Sequence, residues 1–437
     1  MSYQPTDALT APGKWSSYML GVYTSRNGPQ PLGTVVFEEI EEKAKEKLKE
    51  YPGAFMYAAG NAGTHQTYRA NRRAFEKYSI IPRMLVESTF RDIRVNLFGK
   101  TSSAPLVIAP IGVQSLFHPE GEIASAKAAQ ALGIPYIMSS GSSRTTEEVA
   151  VANGGGERWY QLYWPVPGTK EITESVLTRA KAAGFTALVV TLDATIFGWR
   201  THDLNKSYAP GRHGLGAQIG ISDPVFMGRF GKKPITQTKP QWPYQPDVLD
   251  KKVAEGDEEE RERALLGAEW AKECNTHFKT WGDLEHLREF WDGPLILKGI
   301  QHVTDAERVL EYGVDGIVVS NHGGRQLDGA IPSLCALERI CKSQRIKEAQ
   351  RLGRLTVLFD SGVRTGPDMF KALALGAQAI LLGRPWLYGM ILGGQAGLEQ
   401  VIRHTLADFD NTLALSGYPN LVDFQGKANM VLMKLDF

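Results

Sequence analysis

A chain of 437 residues with 43% hydrophobic and 22% charged residues has the make-up of a globular enzyme, and a formal net charge of +1 gives no electrostatic footing for nucleic acid or an anionic membrane surface. Three cysteines, Cys274, Cys335 and Cys341, show no metal-ligand spacing and leave an odd count, so no metal is expected and a reducing compartment is. No apolar run approaches the ~20 residues of a membrane span, the N-terminus lacks a basic-then-apolar leader, and Leu435-Asp436-Phe437 is not a peroxisomal ending, so the expected address is cytosolic.

Residues 1–100 read as a helical lead-in, with a charged amphipathic helix predicted from Phe37 to Glu50 and a short one from Ala70 to Tyr78. From residue 101 to 437 apolar, β-branched runs alternate with helical periodicity. The runs end at Pro110, Ser139, Gln161, Thr191 to Asp193, Lys298, Ser320 to His322, Asp360 and Gly383. Helices are predicted between them at Gly121–Leu132, Thr146–Asn153, Lys170–Gly184, Trp281–Trp291, Val303–Gly313, Pro332–Arg351 and Gly366–Gly376, several closing on glycine. Eight such units favour an α/β fold of the closed (β/α)8 TIM-barrel type over an open sheet, with polar residues crowning the carboxyl ends of the strands. Between strands four and five, residues 195–280 far exceed an ordinary connection of ~2 to 6 residues. This insert carries a proline-rich aromatic stretch (Pro234 to Pro246) and a charge run (Glu255 to Arg263). It is expected to be a lid, with the charge run a solvated helix face.

The chemistry collects on the strand ends. Asp360-Ser361-Gly362-Val363-Arg364 and Gly383-Arg384-Pro385 follow strands seven and eight, where glycine N–H groups and arginine forks suit a phosphate. A dinucleotide fold is not supported, since Gly214-Leu215-Gly216-Ala217-Gln218-Ile219-Gly220 has the wrong spacing and follows no strand. Gln161, Thr191 and the backbone of Pro110, Ile111 and Gly112 offer hydrogen bonds to a planar, amide-rich ring. Lys298 would place a positive charge beside it, stabilising a reduced, anionic flavin; a Schiff-base role or a structural ion pair are the competing readings. Arg200 and Arg325 could clamp a small carboxylate bidentately, helped by the hydroxyls of Tyr57 and Tyr163. Tyr57, however, sits in Phe55-Met56-Tyr57-Ala58, which reads equally well as core. In Ser320-Asn321-His322-Gly323-Gly324-Arg325-Gln326, His322 stands just past a buried strand as a candidate base, with Asp193 to hold its imidazole.

These motifs together resemble the FMN-dependent 2-hydroxy acid oxidising enzymes, from about Ala54 to Leu421. Gln161-Leu162-Tyr163, Thr191-Leu192-Asp193 and Leu297-Lys298-Gly299 support the histidine motif. Leu97-Phe98-Gly99-Lys100-Thr101, Ala109 to Val113, Ile196 to Arg200 and the long insert are similar to the lactate 2-monooxygenase branch. The resemblance implies that His322 is the catalytic base with Asp193 as its partner, and that Tyr57, Tyr163, Arg200 and Arg325 bind substrate. It implies an FMN site at Pro110, Ile111, Gly112, Ser139, Gln161 and Thr191. The same site takes in Lys298, Ser320, Asp360, Gly362, Arg364, Gly383 and Arg384. The implied reaction is oxidation of a small, lactate-like (S)-2-hydroxy acid by hydride transfer or a carbanion route, with dioxygen as acceptor and oxidative decarboxylation as the outcome. The alternatives are a simple oxidase releasing keto acid and peroxide, a Schiff-base aldolase using Lys298, or a non-catalytic barrel. A homo-oligomer, tetramer or octamer, is also implied. One departure stands out: Gly141, in Ser139-Ser140-Gly141-Ser142-Ser143, occupies a place where relatives often carry a bulky side chain, leaving room for a substrate larger than lactate.

Overall fold

The structure, a computed structural model, describes residues 15–166, 168–237 and 242–435; residues 1–14 of the lead-in, 238–241 of the proline-rich stretch and 436–437 of the C-terminus lie outside the described residues. The eight apolar runs form one closed parallel barrel: β1 (Leu106–Ile108), β2 (Tyr136–Ser139), β3 (Arg158–Leu162), β4 (Ala187–Thr191), β5 (Leu295–Ile300), β6 (Gly316–Val319), β7 (Thr356–Phe359) and β8 (Ala379–Leu382). β8 pairs back onto β1 and closes the ring. Successive strand residues face opposite sides, so each strand feeds two cores. Val107, Ile137, Trp159, Val189, Ile296 and Val318 fill the barrel interior. Their neighbours Leu106, Ile108, Tyr136, Leu188 and Ile317 pack in the surrounding core.

The bottom of the barrel is plugged by a hairpin of Val95–Leu97 and Lys100–Ser102, whose turn residue Phe98 meets Trp159 edge-on at 5.4 Å. Gly316 is required there, because a Cβ would lie 2.8 Å from Phe98 Cζ.

The predicted helices are present, with breaks that periodicity does not show. Pro332–Arg351 divides at Ser343, whose hydroxyl caps the second helix, into Ser333–Lys342 and Gln344–Arg351. Val303–Gly313 ends its α-helix at Arg308 and continues as a 3-10 turn. The N-terminal helix predicted at Ala70–Tyr78 lies at Gln66–Glu76, because Tyr78–Ile80 pairs with Leu432–Lys434. Helices at Ser17–Ser25, Pro52–Ala59 and, after β8, Arg384–Ser416 were not predicted. The last is kinked at Gly393 and Gly394, whose φ/ψ are not helical.

Within the insert the charge run is not one helix face. Gly256, at φ 96°, ends Pro246–Glu255, and Asp257 accepts from Glu260 N at 3.1 Å to start Glu258–Asn275. Glu260 is buried at 6% exposure and paired with Arg263 and Lys252.

The lead-in is tied to the end of the chain by a buried ion pair. Arg91 (8% exposed) bonds Asp410 (0%) on the last helix, reaching Oδ2 at 3.2 Å and Ser16 Oγ at 3.1 Å, while Asp410 Oδ2 also accepts from Ser16 N at 2.8 Å. Removing one member of a buried pair strands the other charge, at a cost of about 3–5 kcal/mol. Arg91→Ala is therefore expected to lose that much unfolding free energy in a urea titration, and a loss below about 1 kcal/mol, typical of an exposed pair, would show that the contact does not anchor the lead-in.

Candidate active site

β6 ends at Val319 and the chain turns through His322, Gly323 and Gly324, all at positive φ (58°, 66° and 77°). Such a conformation is unusual for histidine and is held from every side. Ser320 Oγ accepts His322 N at 3.0 Å, Ser361 Oγ accepts Gly323 N at 3.0 Å, and Asn321 Oδ1 accepts Gly324 N at 3.2 Å. Gly324 has to be glycine, because a Cβ would lie 2.7 Å from Tyr68 N on the lead-in helix Gln66–Glu76.

The turn delivers His322 onto Asp193, at the end of β4, with Nδ1 and Oδ1 2.9 Å apart. A carboxylate partner assigns the proton to Nδ1 and leaves Nε2 as the acceptor. Behind the pair, Lys298 Nζ is 3.8 Å from Asp193 Oδ2, 3.6 Å from Asp360 Oδ2 and 3.0 Å from Ser320 Oγ. Burial alone would raise the Asp193 pKa, but Lys298 and His322 outweigh it and hold the carboxyl below its usual range. Burial would lower Lys298, and Asp193 and Asp360 overcome it, so the ammonium is secured. For His322 burial prevails over Asp193, and Lys298 adds to it, so its pKa is lowered and the ring rests neutral.

Two guanidinium groups converge on the carboxyl end of the helix Pro52–Ala59, where carbonyls point outward and favour cations, and a third stands against one of them. Arg325 donates to the carbonyls of Tyr57 (2.7 Å), Ala58 (2.9 Å) and Gly60 (2.7 Å), with the Tyr57 ring 5.9 Å below. Arg384 reaches Ala58 O (3.1 Å), Gly323 O (3.1 Å) and Asn61 Oδ1 (2.6 Å). Arg200 donates to Arg325 O at 3.2 Å and Gln326 Oε1 at 2.8 Å. Burial, then the like charges of Arg200 and Arg384, press the Arg325 pKa down to about 9. Such crowding of cations is relieved by anions.

A cavity of about 280 Å³ runs across the rim of the barrel. Tyr57, Tyr163, Arg200, His322 and Arg325 line it, with Arg364, Gly383 and Arg384, and with Pro110, Ile111, Gly112, Lys298, Asp360 and Gly362. Arg364 lies over Phe37, 4.1 Å from the ring centre, and is close enough to Arg384 to lower its pKa after burial has done so. Ser139, Gln161, Thr191, Asp193 and Ser320 do not line this cavity. Ser139 and Gln161 face each other across β2 and β3, Oγ donating to Oε1 at 2.7 Å, while the buried Gln161 Nε2 has no partner. An orphaned amide donor near the end of β3, a buried ammonium and the Arg364 and Arg384 guanidinium groups on the cavity wall fit a planar ring with acceptor atoms and a phosphate tail; they fit FMN.

Other residues of the site carried no signal in the sequence. Asn71 and Asn321, distant in sequence, exchange amide hydrogen bonds of 2.9 and 2.8 Å, and Asn71 Oδ1 also accepts Ser333 N at 3.0 Å. From the insert, Gly216 and Trp270 line the cavity, and a Cβ on Gly216 would lie 3.1 Å from Gly141 O. The insert thus sits directly on the wall that Gly141 forms. A Cβ added to Gly141 would meet Ser139 Oγ at 3.5 Å and Tyr163 Cε2 at 3.7 Å, ordinary contacts, so the glycine is not forced by sterics and the space is real.

The family model of the FMN-dependent dehydrogenases matches residues 44–430. The FMN-dependent alpha-hydroxy acid dehydrogenase qulF of Penicillium citrinum is 41% identical over 414 residues, covering 94% of this chain and 95% of that protein. An L-lactate oxidase of Lysinibacillus sphaericus is 38% identical, covering 92% and 93%. Among solved structures, a mandelate oxidase superposes with a TM-score of 0.70 at 33% identity, covering 89% of this chain and 96% of that one.

The Asn71–Asn321 exchange generates a prediction of its own. Asn71→Ala leaves the buried Ser333 N without its acceptor, at about 1–3 kcal/mol, and takes from the Asn321 amide, on the turn that carries His322, one partner for each of its two ends. Urea unfolding is expected to show that loss; an unchanged midpoint would mean that the turn is held without the asparagine pair.

Proposed function

The chain belongs to the FMN-dependent 2-hydroxy acid dehydrogenase family and oxidises 2-hydroxy acids, and from that premise we propose the roles of its residues, its substrate and its acceptor. The observation that carries the proposal is the neutral His322 on an ionised Asp193, facing a cavity crowded with guanidinium groups. Arg325 and Arg200 hold the carboxylate, and the hydroxyls of Tyr57 and Tyr163 orient it. Burial raises the Tyr163 pKa, which keeps its phenol protonated as a donor. His322 Nε2 takes the hydroxyl proton, and the imidazolium that results is stabilised by Asp193. When bound, FMN supplies the two-electron acceptor for the α-hydrogen and passes the electrons to dioxygen. Lys298 would supply positive charge to a reduced ring, and Arg364, Arg384, Gly362 and Gly383 would hold the phosphate. A Schiff-base role for Lys298 is disfavoured, since its amine is held charged by two carboxylates.

The substrate we assign is an (S)-2-hydroxy acid whose side chain occupies the space beside Gly141, lactate-like at the reacting carbon and bulkier beyond it. The mandelate oxidase likeness agrees with such a pocket. The acceptor is dioxygen. Leu215, Gly216, Gly267 and Trp270 of the insert roof the cavity, which favours retention of the keto acid with hydrogen peroxide. Held together, peroxide adds to the keto carbon, and loss of carbon dioxide and water leaves the acid one carbon shorter: the 2-monooxygenase outcome. The simple oxidase is the second reading. We also assign a cytosolic address, supported by three free cysteines, and a homo-oligomer, tetramer or octamer, supported by the exposed Met84, Leu85, Phe90 and Leu415.

Two experiments test these roles. His322→Ala is expected to keep bound flavin and lose anaerobic flavin reduction by at least about 10²- to 10⁴-fold. Because the base must be neutral and its pKa is lowered, wild-type reduction should hold steady as pH falls to 6.5 and decline only below it; a stopped-flow profile already falling above pH 7 would contradict the assignment. Product analysis with and without catalase decides the outcome of turnover. Decarboxylated acid is expected to persist with catalase present, whereas full recovery of keto acid with one peroxide per turnover would establish the simple oxidase.

A further inference from the structure

A second cavity, of about 250 Å³, lies on the other side of the wall formed by Tyr163, Ala194 and Cys274, which border both spaces. Its outer lip is made by His277, Phe278 and Thr280, all exposed. Its inner end touches Thr191 and Asp193, whose Oδ2 is buried without a hydrogen-bond partner. Between them apolar Trp164, Leu284, Leu297 and Ile300 share the lining with polar Thr195, Lys279 and Asp305. The space is therefore open to solvent at one end and one residue's thickness from the reaction chamber at the other. It lies apart from the main mouth at Ile196 and Phe197, which line only the first cavity.

Resting on dioxygen as the acceptor, we propose that this second cavity is a side passage by which dioxygen reaches the reaction chamber, with Cys274 as the gate that keeps hydrogen peroxide inside. A bound hydroxy acid or keto acid obstructs the main mouth, and the insert presses down on Gly141, so a small neutral molecule needs another way through. The passage carries such molecules only; no bond is made or broken in it. Trp164, Leu284, Leu297 and Ile300 give dioxygen an apolar side along which to move. Of the three wall residues, Cys274 is the one contributed by the insert helix Glu258–Asn275, so the roof and the gate belong to one element. Burial, then Glu273, raises its thiol pKa, and a thiol kept protonated is a poor nucleophile toward peroxide.

The test uses the FMN-loaded enzyme reduced by light without substrate and then mixed with oxygenated buffer. Cys274→Leu is expected to slow flavin reoxidation by about tenfold while leaving anaerobic reduction by a hydroxy acid unchanged. Cys274→Ala is expected to match or exceed the wild-type rate and to shift products toward keto acid and free peroxide. Crystals pressurised with xenon, an apolar probe of the size of dioxygen, should show the gas in the second cavity. Should Cys274→Leu not fold, Ala194→Val narrows the same wall from the barrel side. Unchanged reoxidation in the narrowed variant, or no xenon in the cavity, overturns the proposal. A wild-type reduced flavin inert to dioxygen instead overturns the acceptor assignment on which it rests.

Discussion

Lys298 is 4% exposed, and an ammonium taken so far from water costs several kcal/mol unless carboxylates surround it. Asp193 and Asp360 do so, from the ends of β4 and β7 on either side of β5 and β6. That buried triad sets much of the rest. Asp193 is kept ionised by the lysine and is therefore available to His322, while the positive charge behind it helps to keep the imidazole neutral. One pairing thus fixes the charge of an acid, a base and a counter-ion, and the reactive nitrogen of His322 is a consequence of it. Ser320, bonded both to Lys298 Nζ and to His322 N, couples the same lysine to the strained backbone turn.

The arginines show the opposite balance. Lys298 meets carboxylates, whereas the hydrogen bonds of Arg325 and Arg384 among the described residues go to carbonyls and an amide oxygen, with aromatic rings alongside. Neutral acceptors place a guanidinium but do not cancel its charge, so the field in this part of the cavity stays positive. A carboxylate and a phosphate supply what is missing. The helix Pro52–Ala59 is what makes the arrangement possible, since its last carbonyls hold two arginines from different loops and its Tyr57 stands beneath one of them.

The barrel was legible because β-branched runs ending in polar residues recur eight times and each is buried on both faces, so burial and pattern agree. The motif around His322 was legible for a related reason: residues within a few positions of a strand end are carried to the same rim. What could not be read depends on contacts between distant parts of the chain. Tyr57 looked like core, and it is half core: its ring packs toward Tyr208 at 6.0 Å while its backbone holds Arg325. Asn71 looked like any polar helix residue, and only tertiary packing joins it to Asn321. The break at Gly256 was hidden inside a charge run because charge pattern does not register backbone turns, and the kinked helix after β8 was hidden by its glycines.

Glycines of the insert itself decide what kind of cover it provides. A Cβ on Gly267 would lie 2.5 Å from Gly214 Cα, and one on Gly220 would lie 2.4 Å from the Trp270 ring. The segments of the insert that roof the cavity therefore touch backbone to backbone and backbone to ring, at distances that leave no slack for sliding. Close packing of that kind transmits displacement rather than absorbing it. Asp223 adds to the rigidity, accepting from Val225 N and Phe226 N while meeting Ser175 and Arg179 on the barrel helix Lys170–Ala182. A roof built this way behaves as a fixed wall, and the exposed Ile196 and Phe197 at its edge are the parts left free to yield. Selectivity then follows from the volume that Gly141 leaves vacant beneath the roof, and the fate of peroxide from how quickly it finds a way past that roof.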